Sequence, residues 1–363
     1  MRVVLGILLL AALAGCGGAG TSTKAERAPE PTAPAAPALP AATAIHVPSG
    51  FRAEIYARGL NHPTAMAFGP DGRLYVTEDV GRVVRVGPGT RRPGVMLRNL
   101  PTPLGLAWID HRLYVSEQGR LDRFTLSGGS LGGRHALIRG LPFGRHQQDN
   151  VVVGPDGRLY VGSGSTCDAC AVADRRSAAV LSIKPDGTGF RIVARGLRNP
   201  YGLAFRPGTN RLFATVNGRD DLPDASAPEP AEMLVRVKQG AFYGWPACWP
   251  SWLQKRMRGP CTGVTRPVAY LETHSSADGI AFATGTAFPE RLRAGAFVAL
   301  WGQYLSRAHG RRVVFVALPS GRVTRFATGF AHPLALAFDG KGAMLVADWE
   351  RGTIYRIQRR GKP

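Results

Sequence analysis

The chain has 363 residues, is 44% hydrophobic and carries a formal net charge of +21 at pH 7. This apolar content is sufficient to bury a large core, either as one large all-β domain or as two domains of average size. The basic residues are scattered along predicted turns and strand faces, and no nucleic-acid-binding motif accompanies them. We therefore interpret the charge as a solvated basic surface and expect no nucleic-acid partner, while attraction to an anionic membrane or an acidic polymer stays open.

The N-terminus has the pattern of an export signal. Arg2 precedes an apolar run at residues 3–13 that is too short to span a bilayer. The run ends in Leu-Ala-Gly-Cys, which resembles the bacterial lipobox, where the cysteine is lipid-modified and becomes the first residue of the mature protein. We predict a lipoprotein signal peptide at residues 1–15 and a lipid on Cys16, so that the protein is exported and anchored to the membrane on its periplasmic or extracellular face. An ordinary signal peptide with an unrelated cysteine is the alternative.

A tether and a folded domain follow. Residues 16–44 are rich in Ala, Pro, Gly and Thr, a composition that cannot form a packed core. We interpret them as a link between the membrane and a folded domain at residues 45–363.

The folded part contains an internal repeat. The octapeptide GPDGRLYV occurs at residues 69–76 and again at 154–161. Pro-Asp-Gly is typical of a turn, and Arg-Leu-Tyr-Val alternates polar and apolar residues at the period of a strand.

Extending the repeat gives six copies, each with an apolar or aromatic anchor at the end of its first strand. The anchors are Phe68, Trp108, Val153, Phe205, Phe282 and Phe338. Their spacing brackets the length of a four-stranded propeller blade with loop insertions, and helical periodicity is scarce. We predict an all-β fold, a six-bladed β-propeller. The lone strand FRAEIYARGL at residues 51–60 would complete the sixth blade and protect its edge.

The first strand of each blade lies nearest the propeller axis, so the residues that precede these strands should converge on one mouth of the channel. Counting back from the anchors gives a largely polar set: Asn61, His62, Pro101, Thr102, His146, Gln147, Arg198, Asn199, Ser275, Ser276, Ala331 and His332, with His274 beside them. Such a ring is typical of a binding site. The alternative is that these side chains cap strand ends and bond to loop backbone. Within the ring, His146 can take a proton near neutral pH, and Arg198 with Asn199 suits carboxylate or carbonyl oxygens.

Four cysteines lie in the predicted domain. Two local disulfides, Cys167–Cys170 and Cys248–Cys261, are the simplest pairing in an oxidising compartment. The Cys-x-x-Cys stretch could instead be a redox dithiol or half of a zinc site, which would require all four thiols to converge.

Several stretches together resemble the glucose/sorbosone dehydrogenase family. They are RHQQDNVVVGPDGRLYVGSG, RGLRNPYGLAF, GAFYGWPAC, HSSADGIAF and GAFVALWG, and the resemblance extends over nearly all of residues 45–363. It implies a soluble six-bladed propeller that oxidises an aldose-type sugar with pyrroloquinoline quinone and Ca²⁺, and that passes electrons to a further acceptor.

The resemblance also implies roles for individual residues. His146 takes the position of the general base that accepts the proton of the anomeric hydroxyl. Gln147, Arg198 and Asn199 take positions at the quinone. The basic residue expected from a later blade would be Arg307 or Arg312, between which spacing does not decide, and we take Arg312 as the candidate. The main-chain carbonyls of Gly218 and Arg219 take the position of the calcium ligands.

The sequence departs from the family pattern at three places around the cofactor. Residues 232–235 read Glu-Met-Leu-Val where the family has Asp-Glu-Leu-Asn, and Ala331 with His332 stands where the last blade commonly supplies arginine. The stretch WGQYLSR replaces HGSWNR of sorbosone-type relatives. Two alternatives therefore stay open: a propeller without cofactor that binds a glycan or an envelope partner, and a metal-dependent lactonase-type hydrolase.

Overall fold

Six four-stranded antiparallel sheets form the fold, and each sheet is one blade of a β-propeller. The computed structural model describes residues 38–220, 229–303 and 309–361. The predicted all-β class and the six blades are therefore confirmed. The predicted signal peptide, Cys16, most of the predicted tether and Arg307 lie outside the described residues.

The first three blades each consist of four strands that are consecutive along the chain. A lone strand, β1 (Phe51–Arg58), precedes them. Blade 1 contains β2 (Pro63–Phe68), β3 (Leu74–Glu78), β4 (Arg82–Val86) and β5 (Gly94–Leu97). Blade 2 contains β6 (Gly105–Ile109), β7 (Arg112–Glu117), β8 (Arg120–Ser127) and β9 (Ser130–Arg139). Blade 3 contains β10 (Gln148–Val153), β11 (Leu159–Ser163), β12 (Ala179–Ile183) and β13 (Arg191–Arg195).

The last three blades include one insertion. Blade 4 contains β14 (Leu203–Phe205), β15 (Leu212–Val216), β16 (Glu232–Val237) and β19 (Ala269–Leu271), and the separate hairpin β17 (Trp249–Ser251) with β18 (Arg256–Arg258) lies between the last two. Blade 5 contains β20 (Ala277–Phe282), the short helix α1 (Glu290–Arg293), β21 (Gly295–Leu300), β22 (Arg312–Ala317) and β23 (Val323–Thr328). Blade 6 contains β24 (Pro333–Phe338), β25 (Met344–Asp348) and β26 (Thr353–Arg359).

The lone strand β1 closes the ring as predicted. It pairs antiparallel with β26, with Phe51 opposite Arg359 and Arg58 opposite Thr353, so it is the outer strand of blade 6. The chain reaches the propeller before residue 45, because Ala41 forms a β-bridge with Glu54.

The repeated octapeptide forms the turn between the first and second strands of blades 1 and 3. In the first copy, Gly69 N–H donates to the carbonyl of Arg73 at 2.8 Å, and Gly72 has a φ of 70°. The Asp71 carboxylate accepts from Arg73 N–H at 3.1 Å and from the Tyr75 hydroxyl at 3.0 Å. The second copy repeats these contacts at residues 154–160, so each residue type in the octapeptide has a defined structural task.

The hydrophobic core lies between neighbouring blades. The first strands of adjacent blades contact one another around the axis. Predicted anchors pack against aromatic residues of the preceding blade, as in the edge-to-face pair of Tyr75 with Trp108, whose ring centroids are 4.8 Å apart. Tyr160 packs in the same way against Phe205, at 5.2 Å. The anchors therefore link the blades, which explains why they recur.

Both predicted disulfides form, Cys167–Cys170 in blade 3 and Cys248–Cys261 beside the inserted hairpin. With all four sulfurs crosslinked, the zinc alternative has no thiolate ligands. Within the described residues, no helix has the length and apolar character needed to span a membrane.

Candidate functional site

A cavity of about 650 Å³ opens at one mouth of the propeller. Its volume is in the range of small-molecule and cofactor sites. Two kinds of positions supply most of its lining: residues at the start of first strands, and residues that directly follow second strands; Glu232, at the start of the third strand β16, and Asp220, in the segment after β15, are additional lining residues. The lining residues are Thr64, Asp79, Leu104, Arg145, His146, Arg198, Asn199, Tyr201, Asn217, Gly218, Asp220, Glu232, His274, Ser276, Asp278, Trp301, Gly302, Gln303, Leu334 and Trp349. Both kinds meet at this mouth because the first and second strands of a blade are antiparallel, so one begins where the other ends.

His146 is held in one tautomer by Ser165. Its Nδ1 atom lies 3.1 Å from the Ser165 carbonyl oxygen and 3.0 Å from Ser165 Oγ. A carbonyl oxygen can only accept, and the Ser165 hydroxyl already donates to the Cys167 carbonyl at 2.6 Å. We therefore assign the proton to Nδ1, which leaves the lone pair of Nε2 available to accept a proton.

Burial keeps the His146 imidazole neutral. Desolvation, followed by the positive charge of Arg198, lowers the pKa of His146 to about 3. At neutral pH the side chain is therefore an unprotonated base.

Arg198 is buried in a network of opposite charges. Its side chain is 4% exposed; Nη2 donates to the Asp168 carboxylate and, at 2.8 Å, to Asp220 Oδ2. Its Nε donates to the main-chain carbonyl of Asp168 at 3.1 Å. Arg145 joins the network by donating to Asp220 Oδ2 at 2.7 Å. Arg145, Arg198 and Asp220 thus lie together in the cavity lining, and Asp168 holds Arg198 from behind it.

A chain of amides and carboxylates crosses the cavity toward blade 5. Asn199 Nδ2 donates to Asn217 Oδ1 at 2.8 Å, and Asn217 Nδ2 donates to Asp278 Oδ1 at 3.2 Å. In the described part of the chain, Asn199 Oδ1 is buried and has no hydrogen-bond partner. An unsatisfied buried acceptor in the cavity wall is suited to a donor or cation on a ligand.

Three buried carboxyl groups lie at or near this chain. Burial raises the pKa of Glu232 to about 7, although Glu232 Oε2 accepts from Gly218 N–H at 2.6 Å. Burial also raises the pKa of Asp278 and Asp149 well above their usual range, and the charge of Asp278 adds to the shift at Asp149. The site therefore favours any cation that neutralises these carboxylates.

Aromatic rings form the wall contributed by blades 5, 6 and 1. Trp301 stacks on His332 with centroids 3.8 Å apart, and Trp349 stacks on His62 at 3.9 Å. Trp349 Nε1 donates to Asp79 Oδ2 at 2.8 Å, and His332 Nδ1 lies 2.9 Å from the Trp301 carbonyl. Burial lowers the pKa of His332, which disfavours a positive charge at the position where the family commonly supplies arginine.

The structure brings together some of the predicted site residues and not others. His146, Arg198, Asn199 and Gly218 line the cavity. Three predicted residues are absent from its lining among the described residues, and each side chain is bonded to another part of the protein. Gln147 donates to the Thr102 carbonyl at 2.7 Å, Arg219 Nη1 donates to the Pro246 carbonyl at 3.1 Å, and Arg312 Nη2 donates to Glu272 Oε1 at 3.0 Å.

Sequence reasoning missed the residues that follow second strands. Asp79 follows β3, Asn217 follows β15, Trp301 follows β21 and Trp349 follows β25. The aligned repeats carried this signal, because each of these residues comes directly after the second strand of its copy. Asp168 and Asp220 had no comparable signal.

A model of the family described as glucose/sorbosone dehydrogenase matches residues 114–315. A relative from Borreliella burgdorferi, described as an uncharacterized protein, is 23% identical over 349 residues, which cover 87% of this chain and 91% of that protein.

Solved structures share the fold. The holo form of the pyranose dehydrogenase PQQ domain from Coprinopsis cinerea has a TM-score of 0.75 at 16% identity, over 87% of this chain and 97% of that one. The PQQ-bound aldose sugar dehydrogenase from Streptomyces coelicolor has a TM-score of 0.66 at 24% identity, over 87% of this chain and all of that one (100%). At these identities the likeness shows the fold alone.

Proposed function

Because the chain belongs to the glucose/sorbosone dehydrogenase family, we propose that it oxidises an aldose-type sugar at the anomeric carbon with pyrroloquinoline quinone and Ca²⁺. The observation that carries the proposal is the state of His146, a neutral imidazole at the cavity with its Nε2 lone pair available. Oxidation of the C1–OH group removes a proton from oxygen and a hydride from carbon. His146 Nε2 takes the proton; the quinone, when bound, supplies the hydride acceptor.

The donor set at Gly218 fits a calcium ion. Calcium takes oxygen ligands from carbonyls, amides and carboxylates. Gly218 and Asn199 both line the cavity, and the Gly218 carbonyl and the Asn199 Oδ1 atom, which has no partner among the described residues, would hold the ion. The adjacent main-chain carbonyl of Arg219 is included in the proposed ligand set on the family resemblance alone. The buried Glu232 carboxyl beside Gly218 would then ionise more readily, since a cation lowers the cost of its charge.

The cations at the cavity fit the carboxylates of the quinone. Arg145 and Arg198 both line the cavity, and a guanidinium pairs well with a planar carboxylate. Asp168 and Asp220 already hold both arginines in place, so these arginines are pre-oriented for a ligand.

Reconstitution tests the proposal directly. The purified protein is titrated with pyrroloquinoline quinone in the presence and absence of Ca²⁺ and followed by absorbance. A panel of aldoses is then assayed by reduction of a dye. We expect saturable quinone binding that requires Ca²⁺ and sugar-dependent dye reduction that EDTA abolishes. Absence of quinone binding at concentrations that saturate a known member of the family would refute the proposal.

A binding module without cofactor is the second candidate. One observation favours it: the charges of Arg145 and Arg198 are already balanced by Asp168 and Asp220. The cavity would then hold a neutral glycan by the aromatic wall and the polar ring. Sugar binding without quinone binding, measured by calorimetry on the same protein, distinguishes this candidate.

We also propose that the protein is exported and held at the membrane by a lipid on Cys16, on the strength of the lipobox-like sequence. A tether without its acyl chains has no apolar surface to insert into a bilayer. We expect Cys16→Ser to abolish acyl labelling and to move the protein into the soluble fraction. Retention of the variant in the membrane fraction would contradict the lipid anchor.

A further inference from the structure

The loop closed by the Cys167–Cys170 disulfide contacts Arg198 directly and is linked to His146 through Ser165. It is a four-residue segment, Cys-Asp-Ala-Cys, between the second and third strands of blade 3. The function proposed above assigns no role to this Cys-x-x-Cys motif.

The first contact is to Arg198. The Asp168 carboxylate accepts from Nη2 and its main-chain carbonyl accepts from Nε, so one residue fixes the plane of the guanidinium from two sides. The second carboxylate partner, Asp220, has a side chain that is 51% exposed, against 19% for Asp168. Asp168 therefore makes the less hydrated and stronger contact.

The second contact is to His146, through Ser165. The Cys167 carbonyl accepts a hydrogen bond from the Ser165 hydroxyl at 2.6 Å. This bond directs the lone pairs of the Ser165 hydroxyl oxygen toward His146 Nδ1. If the loop moved, the Ser165 hydroxyl could rotate and donate to Nδ1, and of the two Ser165 contacts only the carbonyl would still favour a proton on Nδ1. That rotation would favour the other imidazole tautomer, in which Nε2 carries the proton and cannot act as a base.

The disulfide closes the segment that carries these two carbonyls and the carboxylate. Asp168 is held in addition by Trp245 Nε1, which donates to its carbonyl at 2.9 Å, and by the main-chain N–H of Asp220, which donates to its carboxylate at 3.0 Å. A four-residue loop on the surface has little core of its own, and Cys170 is exposed at its outer end. A reductant can therefore reach this disulfide more easily than the one that contains Cys248, which is 2% exposed.

We propose that the Cys167–Cys170 loop is a redox-sensitive clasp, in which Asp168 is a positioning residue for Arg198 and the Cys167 carbonyl, by accepting from the Ser165 hydroxyl, supports the tautomer of His146 that the Ser165 carbonyl selects. The consequence for catalysis rests on the proposed dehydrogenase function. The clasp itself is a structural property of the chain and can be tested without turnover.

The direct test follows the Arg198 side chain by NMR. In ¹⁵N-labelled full-length protein, a buried and hydrogen-bonded Arg Nε–H exchanges slowly with water, and the Arg198→Lys variant identifies its signal. We expect the signal to be lost in the Cys167→Ser/Cys170→Ser variant and retained in the Cys248→Ser/Cys261→Ser variant. Reduction of the remaining Cys167–Cys170 disulfide by a dithiol, which is itself oxidised to a disulfide, should remove the signal, and reoxidation by a disulfide such as oxidised glutathione should restore it. An unchanged Arg198 signal after loss of the Cys167–Cys170 crosslink would overturn the proposal.

The functional readout separates positioning from a general loss of structure. We expect Asp168→Asn to weaken quinone binding by about ten- to a hundredfold, the range for losing a hydrogen bond between charged groups. Asp168→Glu should recover part of this loss.

Asp174→Asn is the matched control, because Asp174 pairs with Arg176 at 2.7 Å and does not line the cavity. Equal quinone affinity in Asp168→Asn and Asp174→Asn would contradict the positioning role. If the wild-type protein binds no quinone, the proposed function fails, while the NMR experiment still decides whether the clasp exists.

Discussion

Two atoms of Ser165 lie within 3.1 Å of the Nδ1 atom of His146, and only one protonation pattern satisfies both contacts. The Ser165 carbonyl oxygen can only accept a hydrogen bond from Nδ1–H. The Ser165 hydroxyl oxygen also accepts from Nδ1–H, because the hydroxyl group donates its own hydrogen bond to the Cys167 carbonyl. A catalytic base needs its lone pair directed at the substrate. Ser165 accepts from Nδ1–H, so the lone pair of His146 is on Nε2, the nitrogen that is free to face the substrate.

Replacing His146 should separate binding from turnover. We expect His146→Gln to bind quinone within a few-fold of wild type and to lower turnover by roughly two to four orders of magnitude, the usual contribution of a positioned base. Dye reduction and quinone titration on the same preparation measure the two quantities. His135→Gln, on the exposed outer strand β9, controls for loss of an imidazole. A fully active His146→Gln variant would remove the histidine from the mechanism.

The rate should not fall as the pH is lowered through about 6.5, the ordinary pKa of histidine. Because the pKa of His146 is lowered to about 3, the imidazole stays unprotonated and able to accept a proton throughout mildly acidic conditions. We expect kcat/KM to stay nearly constant with respect to this group between about pH 5 and 7, since it reports the free enzyme. Circular dichroism at each pH checks that the protein stays folded. If the rate instead falls to half its maximum near pH 6.5, and the His146→Gln variant lacks this fall, the pKa of His146 is not lowered. The side chain would then be more hydrated than its burial in the structure indicates.

The repeat pattern made the fold and half of the site predictable from sequence. Turn chemistry and strand alternation recur in each blade, so the anchors located the first strands and, by counting back, His146, Arg198 and Asn199. The same counting could not identify Asp168 or Asp220. Both lie in irregular segments after second strands, whose path depends on tertiary contacts and, for Asp168, on a disulfide.

Arg312 shows why spacing alone was insufficient. It begins β22, the third strand of blade 5, and third strands lie farther from the axis than first strands. Its guanidinium pairs with Glu272, which directly follows β19 of blade 4, at 3.0 Å, and does not line the cavity. Distance along the chain gives the blade but not the contacts of a side chain: Glu232, at the start of the third strand β16, lines the cavity, whereas Arg312, at the start of the third strand β22, does not.

The buried carboxyl of Asp149 should make stability depend on pH. Burial first, and then Asp278, raise the pKa of Asp149 well above its usual value, and Oδ2 has no partner among the described residues. Above about pH 4 the unfolded chain releases this proton while the folded state keeps it, so stability is lost as pH rises toward the folded pKa, by up to about 1.4 kcal/mol per pH unit. Asp149→Asn cannot titrate. We therefore expect its stability advantage over wild type to grow with pH.

Urea unfolding at several pH values between 5 and 8 measures this difference. Asp110→Asn controls for removal of one negative charge, because Asp110 lies in an exposed turn with a φ of 50°, a conformation that asparagine accepts. A difference between Asp149→Asn and wild type that does not change with pH would show that the Asp149 carboxyl ionises normally in the folded protein.

The close approach of first strands around the axis gives the last prediction. Gly105, Gly202 and Gly279 each stand three residues before an anchor, and a Cβ on Gly279 would lie 2.1 Å from the carbonyl oxygen of Leu334 in blade 6. That neighbour is backbone of an adjacent first strand and cannot move without displacing a blade. We expect Gly279→Ala to destabilise the protein by about 1–3 kcal/mol or more, the cost of overpacking a well-packed core.

The control is Gly132→Ala on β9, where a Cβ meets nothing within 4 Å, so the change should be neutral or stabilising by up to about 1 kcal/mol. Thermal unfolding of both variants decides the matter. Equal midpoints of thermal unfolding for the two variants would mean that neighbouring blades can move apart to accept a Cβ. The contact between blades would then not explain why glycine stands at these three positions.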